Sequence, residues 1–141
     1  SKYLVFMHCD VVITNPAWLD LLINACETSK AGMVGVEMQG YWMQNRKVDF
    51  IKEWLILFTK ECFDECGPFP EKLPMIGQNF IMTLKAQHYG YKPQVLKGQI
   101  AHHYKIFSLD INVFEKMTEQ AMIEIPKLLK EVQSETVKRI I

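Results

Sequence analysis

The stretch Tyr3-Leu4-Val5-Phe6-Met7-His8-Cys9-Asp10 decides how the rest of this chain reads. A continuous apolar run of strand formers, closed by His, Cys and Asp, fits a buried strand of the kind found in parallel sheets. Val11-Val12-Ile13 is a second β-branched patch, and Thr14-Asn15-Pro16 reads as a turn or helix start. Trp18, Leu21, Leu22 and Ala25 then recur at helical spacing. This predicts a helix over residues 16–28, with Pro16 in the first turn, where a missing N–H costs nothing.

Working outward, residues 31–36 read as a short glycine-punctuated strand, and the polar and aromatic residues 40–47 as a loop. Residues 50–58 are apolar and fit either a strand or a helix. Residues 60–66 form a short helix stopped by Gly67-Pro68, and residues 69–77, with two prolines and a glycine, an irregular loop. A helix is predicted over residues 79–89 with Gly90 at its C-terminal cap, followed by strands over 91–96 and 99–104. From Asn112 onward Phe114, Met117, Ala121, Ile125, Leu128, Leu129 and Val132 recur at three- and four-residue spacing, opposite a face of Glu and Lys. Pro126 is expected to split this stretch into two helices. Alternating strands and helices predict an α/β sandwich with a mostly parallel sheet and a C-terminal helical extension.

The 141 residues amount to one domain's worth of chain, and 49% of them are hydrophobic, enough for a real core. Sixteen Lys and Arg balance sixteen Asp and Glu, which argues against a general nucleic-acid binder. No apolar run reaches the roughly 18 residues that a membrane span needs, and no signal peptide is visible. The four cysteines, Cys9, Cys26, Cys62 and Cys66, lack zinc-finger spacing and are expected to be reduced thiols of a cytoplasmic protein. The chain enters its first strand directly from Ser1 and Lys2, without Met, which reads as a segment missing upstream.

Three places carry candidate chemistry. His8 and Asp10 follow a buried strand, where ligands of open α/β sheets gather. Residues two apart on a strand share a face, so both could reach one divalent ion such as Mn²⁺, although an Asp in this place also serves as a turn cap. His102-His103 follows Gln99-Ile100-Ala101 and reads either as a ligand or as a structural pair. Residues 62–91 combine Phe63-Asp64-Glu65-Cys66-Gly67-Pro68-Phe69-Pro70-Glu71 with Gly77-Gln78-Asn79-Phe80 and Gly90-Tyr91.

The order of these motifs over residues 2–107 resembles the C-terminal portion of family 2 glycosyltransferases of the GT-A (nucleotide-diphospho-sugar transferase) fold. In that family a hydrophobic strand ends in Asp-x-Asp and is followed by strand residues, a Pro and Trp-Leu, the layout of residues 3–22 here. Phe63, Gly67, Phe69, Pro70 and Glu71 match its f-x-x-x-G-x-F-D-E stretch. A helix that carries Glu-Asp-x-Asp, an Arg one turn on and Gly-Tyr at its end matches in layout, with Lys85 at the Arg position. Ile100-Ala101-His102 matches the final strand ending in His.

The resemblance implies a partial GT-A-like domain over residues 1–107 and a helical tail over 108–141 that packs on the domain or on a partner. It implies transfer of a sugar from a nucleotide-sugar donor to the hydroxyl of a glycan or other acceptor, with Mn²⁺ or Mg²⁺ bridging the diphosphate. The family's nucleotide-binding half has no counterpart here, so the donor site would be completed upstream or by another polypeptide. His8, Asp10 and His102 are the implied metal ligands, and Gln78, Lys85 and Trp54 the implied substrate contacts. Asn79 stands at the position of the family's general base, and a carboxamide accepts no proton at ordinary pH. Glu71 is the expected substitute, with Glu37 a further candidate. The alternative expectation is a catalytically inactive binding or assembly module, dimerising through its C-terminal helices.

Overall fold

The structure, a computed structural model, describes residues 1–43, 45–73, 76–105 and 110–135, with the backbone alone for residues 41–43 and 46. Its centre is Leu55-Ile56-Leu57-Phe58 of strand β6 (Leu55–Thr59), four side chains all withdrawn from solvent. Successive strand residues point to opposite faces, so these four feed two cores at once. Leu55 and Leu57 pack with Val34, Leu22 and Cys26 on one side, while Ile56 and Phe58 pack with Met33, Cys62, Met82 and Ala86 on the other. Truncating one of them, as in Leu57→Ala, costs about 2–5 kcal/mol by transfer and cavity terms together.

Four strands make the main sheet, in the order β1 (Tyr3–Met7), β6, β3 (Met33–Gly35), β7 (Gln94–Val95). Tyr3 pairs with Thr59 and Met7 with Leu55. The helix α1 (Trp18–Ser29) covers one face, and α2 (Lys60–Cys66) and α3 (Gln78–His88) cover the other. Phe6, Phe63 and Phe69 bring β1, α2 and the following loop together, with centroids 5.0 Å apart for Phe6–Phe69 and 5.3 Å for Phe6–Phe63. The α/β class is as expected, but the mostly parallel sheet is corrected. β1, β3 and β7 run one way and β6 runs against them, so β1–β6 and β6–β3 are antiparallel and only β3–β7 is parallel.

The cause is the segment between β3 and β6. A parallel neighbour needs a long crossover, usually a helix. Here β4 (Met38–Met43) and β5 (Arg46–Ile51) form a hairpin that returns the chain to where it left the sheet. The Lys52 N–H donates to the Glu37 carbonyl at 2.9 Å and closes the neck of the hairpin. Residues 40–47, expected as a loop, therefore belong mostly to two paired strands, with Asn45 at the tip in a left-handed conformation (φ 63°). The apolar stretch 50–58 divides between the end of β5, a turn and β6.

α2 spans the predicted residues 60–66, while α1 and α3 occur with shifted ends. Pro16 lies before α1, not in its first turn, and Asn15 Oδ1 accepts from the Ala17 N–H at 2.9 Å to organise that start. Thr59 caps α2 by accepting from the Cys62 N–H at 3.1 Å. The expected break at Pro126 is absent: α4 (Ile111–Ser134) runs through it as one helix. Ala121 lies before the proline and Leu129 and Val132 after it, and all three pack with Leu73, Phe80 and Ile81. Docking on both sides of the proline offsets the lost hydrogen bond. The boundary expected at residues 107 and 108 lies outside the described residues.

Candidate metal centre

The candidate centre forms where the chain leaves β1. The His8 N–H donates to the Trp54 carbonyl at 3.0 Å, and the Val11 N–H donates back to the His8 carbonyl at 3.3 Å. This tight turn leads into β2 (Val11–Ile13), which pairs with β8 (Ala101–His103) in a separate two-stranded ladder. Val11 faces His103, and the Tyr104 N–H donates to the Asp10 carbonyl at 3.0 Å. Two segments far apart in sequence thus bring three polar side chains together. One ligand atom from each of His8, Asp10 and His103 lies within 4.8 Å of the other two, and all three residues are half-buried.

His103 Nε2 stands 3.2 Å from Asp10 Oδ1, and the His8 and His103 rings meet at 5.5 Å in an edge-on contact. The His103 ring also stacks on Trp54. The Trp54 indole is held in turn, its Nε1–H donating to Glu37 Oε2 at 2.8 Å. Lys52 Nζ binds the other Glu37 oxygen at 2.9 Å. Burial pushes the Glu37 carboxyl up, but hydrogen bonds from Lys52 and Trp54, with the charges of Lys52 and Lys105, outweigh it and leave the group below its ordinary value. A cavity of about 270 Å³ opens beside this group, lined by Glu37, Trp54 and the approach to β8.

The residues expected from the sequence separate into two groups. His8, Asp10 and Trp54 are assembled here. His102 is not: alternation along β8 turns it to the opposite, exposed face, where its ring meets Tyr104 at 4.5 Å. The third member is its neighbour His103. Glu37, considered as a proton acceptor, is already engaged by Lys52 and Trp54.

The remaining candidates lie elsewhere. Asn79 is buried in the first turn of α3 and donates its side-chain amide to the Ile51 carbonyl. The Thr83 hydroxyl accepts from the Ile51 N–H at 3.2 Å and donates to the Asn79 carbonyl at 2.8 Å. Asn79 and Thr83 therefore latch the end of β5 to α3. Lys85 is drawn to the end of α4, with Nζ 3.7 Å from Glu135 Oε1. Gln78 is half-buried as the first residue of α3, and Glu71 is exposed in the preceding loop. Among the described residues no hydrogen bond or ion pair joins either of them to the His8–Asp10–His103 group.

No family model, curated protein or solved structure matches the chain. No helix among the described residues is long and apolar enough to cross a membrane.

The donor set fits a divalent ion in kind. Two imidazoles and a carboxylate are a recurrent first-row metal set, and neighbouring ligands of one ion sit about 3 Å apart when the bonds are near 2.1 Å. His103 Nε2 and Asp10 Oδ1 already stand near that separation, at 3.2 Å, and the ligand atoms of all three residues lie within 4.8 Å of one another.

Proposed function

We propose that this chain provides the metal-holding portion of a sugar transferase that uses a nucleotide-diphospho-sugar donor, with His8, Asp10 and His103 as the ligands. The convergence of these three side chains at the end of β1 carries the reading, and the motif order over residues 2–107 supplies its chemical context. When bound, a divalent ion supplies electrostatic stabilisation for charge developing on a departing diphosphate. Asp10 contributes an anionic oxygen, and His8 and His103 contribute neutral nitrogens. Trp54 fixes the plane of His103 and is itself anchored through Glu37 and Lys52. Two imidazoles favour Mn²⁺ over Mg²⁺, which prefers a shell of oxygens and water.

Calorimetric titration with Mn²⁺, and then with UDP and GDP in its presence, tests the reading. Saturable Mn²⁺ binding that strengthens nucleotide binding supports it. A folded chain that binds no Mn²⁺ sinks it.

A second reading, a module that binds or assembles without transfer chemistry of its own, is favoured by Asn79. Its amide is committed to the Ile51 carbonyl and cannot take a proton from an acceptor hydroxyl. Mn²⁺ binding that leaves nucleotide affinity unchanged would favour this second reading, and light scattering would show whether the module is a homodimer.

A further inference from the structure

A second cavity, of about 390 Å³, lies between the β4–β5 hairpin, the start of α3 and the outer half of α4. It shares no lining residue with the His8–Asp10–His103 group. Its volume falls in the range of roughly 300–1,000 Å³ typical of small-molecule sites. Phe50 and Phe80 meet edge to face at 5.3 Å on one side, and Phe114, Met122 and Ile125 of α4 face them. Gly77 lets Ile125 of α4 pack close against the start of α3, since a Cβ there would come within 2.8 Å of Ile125 Cδ1.

The polar side chains of the wall are few: buried Asn79, half-buried Thr118, whose hydroxyl donates to the Phe114 carbonyl at 3.0 Å, and the exposed Glu53 and Gln39. Asn79 is only 2% exposed, and its Nδ2 is spent on the Ile51 carbonyl. Its Oδ1 accepts no hydrogen bond from any described residue and remains accessible from the cavity that Asn79 lines. Glu53 adds a carboxylate that has no ion pair or hydrogen bond among the described residues. No Lys, Arg or His lines the cavity. Apart from the amide of the exposed Gln39, the wall's free side-chain groups are therefore oxygen acceptors and one negative charge around an aromatic and aliphatic interior. Such a lining selects an apolar body that carries an N–H or O–H donor, and it disfavours an anion, whose charge would be desolvated beside Glu53.

We propose that this cavity is a binding site for a small, neutral or cationic, aromatic or aliphatic molecule whose N–H or O–H donates to Asn79 Oδ1 or Glu53. The site is independent of the metal reading. Two fluorescent probes of nearly identical shape test it on the intact chain: N-phenyl-1-naphthylamine, which is neutral with one N–H, and its sulfonate, 8-anilinonaphthalene-1-sulfonate. The neutral probe is expected to bind saturably, at least tenfold more tightly than the sulfonate. Thr118→Trp, which places an indole in the cavity from α4, is expected to weaken the neutral probe at least tenfold. Glu53→Lys, at an exposed position, is expected to tighten the sulfonate at least tenfold. Near-ultraviolet circular dichroism establishes that each variant is folded. Absence of saturable binding of the neutral probe overturns the proposal, and so does binding that a folded Thr118→Trp leaves unchanged. Should Thr118→Trp not fold, Glu53→Lys decides alone, and an unchanged sulfonate affinity overturns the proposal.

Discussion

The imidazole of His103 lies nearly parallel to the indole of Trp54, with centroids 5.3 Å apart and planes 13° from coplanar. This contact holds the ring while Nε2 faces Asp10 Oδ1, so the orientation of a candidate ligand is set from β6's approach and not from β8 alone. Metal-binding histidines are usually positioned in this way, by neighbours that touch no ion.

His103→Ala is therefore expected to abolish Mn²⁺ binding, and His102→Ala to leave it unchanged. The two residues are adjacent, but only His103 stands within 4.8 Å of the other two ligands. Titration calorimetry of both variants checks this. Equal losses from the two substitutions would place the ion elsewhere. Acidification should weaken the wild-type affinity, because protons and the ion compete for the same imidazole nitrogens.

The Glu37 carboxylate gives a stability signature with a definite sign. Its folded-state pKa lies below the ordinary 4.5, since its hydrogen bonds and neighbouring charges outweigh burial. The stabilisation is thus fully present above pH 4.5 and is lost as pH falls through the depressed folded value. Glu37→Gln should be less stable than wild type at pH 7, with the difference shrinking in acid. Urea unfolding from pH 7 downward measures it. A difference independent of pH would remove Glu37 from the account.

How much of this could be read from residues alone depends on range. The helices other than the run through Pro126 were legible because stop signals and apolar spacing are local: Gly67 ends α2 in the structure as Gly67-Pro68 ends Lys60 through Cys66 in sequence. The reversed direction of β6 was not, because it follows from the neck between Glu37 and Lys52, and the hairpin's turn at Asn45 lacks an Asn-Gly signature. His8 and Asp10 were visible at the end of an apolar run. The choice between His102 and His103 needed the register of a three-residue strand, where a shift of one residue swaps faces. That Asn79 offers a carboxamide and no carboxylate was legible from the sequence, but its latch on Ile51 links two distant segments that no periodicity connects.

That latch makes a direct prediction about Asn79→Asp. The substitution supplies the carboxylate a general base requires, but it removes the donor to Ile51 and sets two acceptors against each other in a buried place. The expected cost is about 1–3 kcal/mol of folding stability at pH 7. Burial favours the protonated form of the new carboxyl, so the deficit should shrink as pH is lowered. Denaturant unfolding at two pH values checks both statements, and a variant as stable as wild type at pH 7 would refute the latch.

Pro126 is exposed inside α4, where it denies the Met122 carbonyl a backbone donor. Pro126→Ala restores that donor and removes no buried contact. Offset by the greater freedom of the unfolded chain, the gain is expected to be about 2 kcal/mol. Thermal unfolding should move upward. An unchanged or lower midpoint would mean that the proline's own geometry is required for Ala121 and Leu129 to dock together.

The thiols test the packing on both faces of the sheet. Cys9 is exposed between His8 and Asp10, whereas Cys26, Cys62 and Cys66 are buried. Cys62 and Cys66 face each other at 3.9 Å one helical turn apart. Their mutual hydrogen bond, together with burial, pushes the Cys62 thiol far above its ordinary value. A thiolate is the reactive form, so burial and a raised pKa both suppress labelling. Native protein mixed with a chromogenic disulfide reagent should therefore release one fast equivalent, from Cys9, and all four only after denaturation. Cys9→Ser should abolish the fast phase, and Mn²⁺ should slow it in wild type if the ion draws His8 and Asp10 inward around the intervening residue. Two or more fast equivalents in the native state would show that the cores on either side of β6 open far more readily than their burial implies.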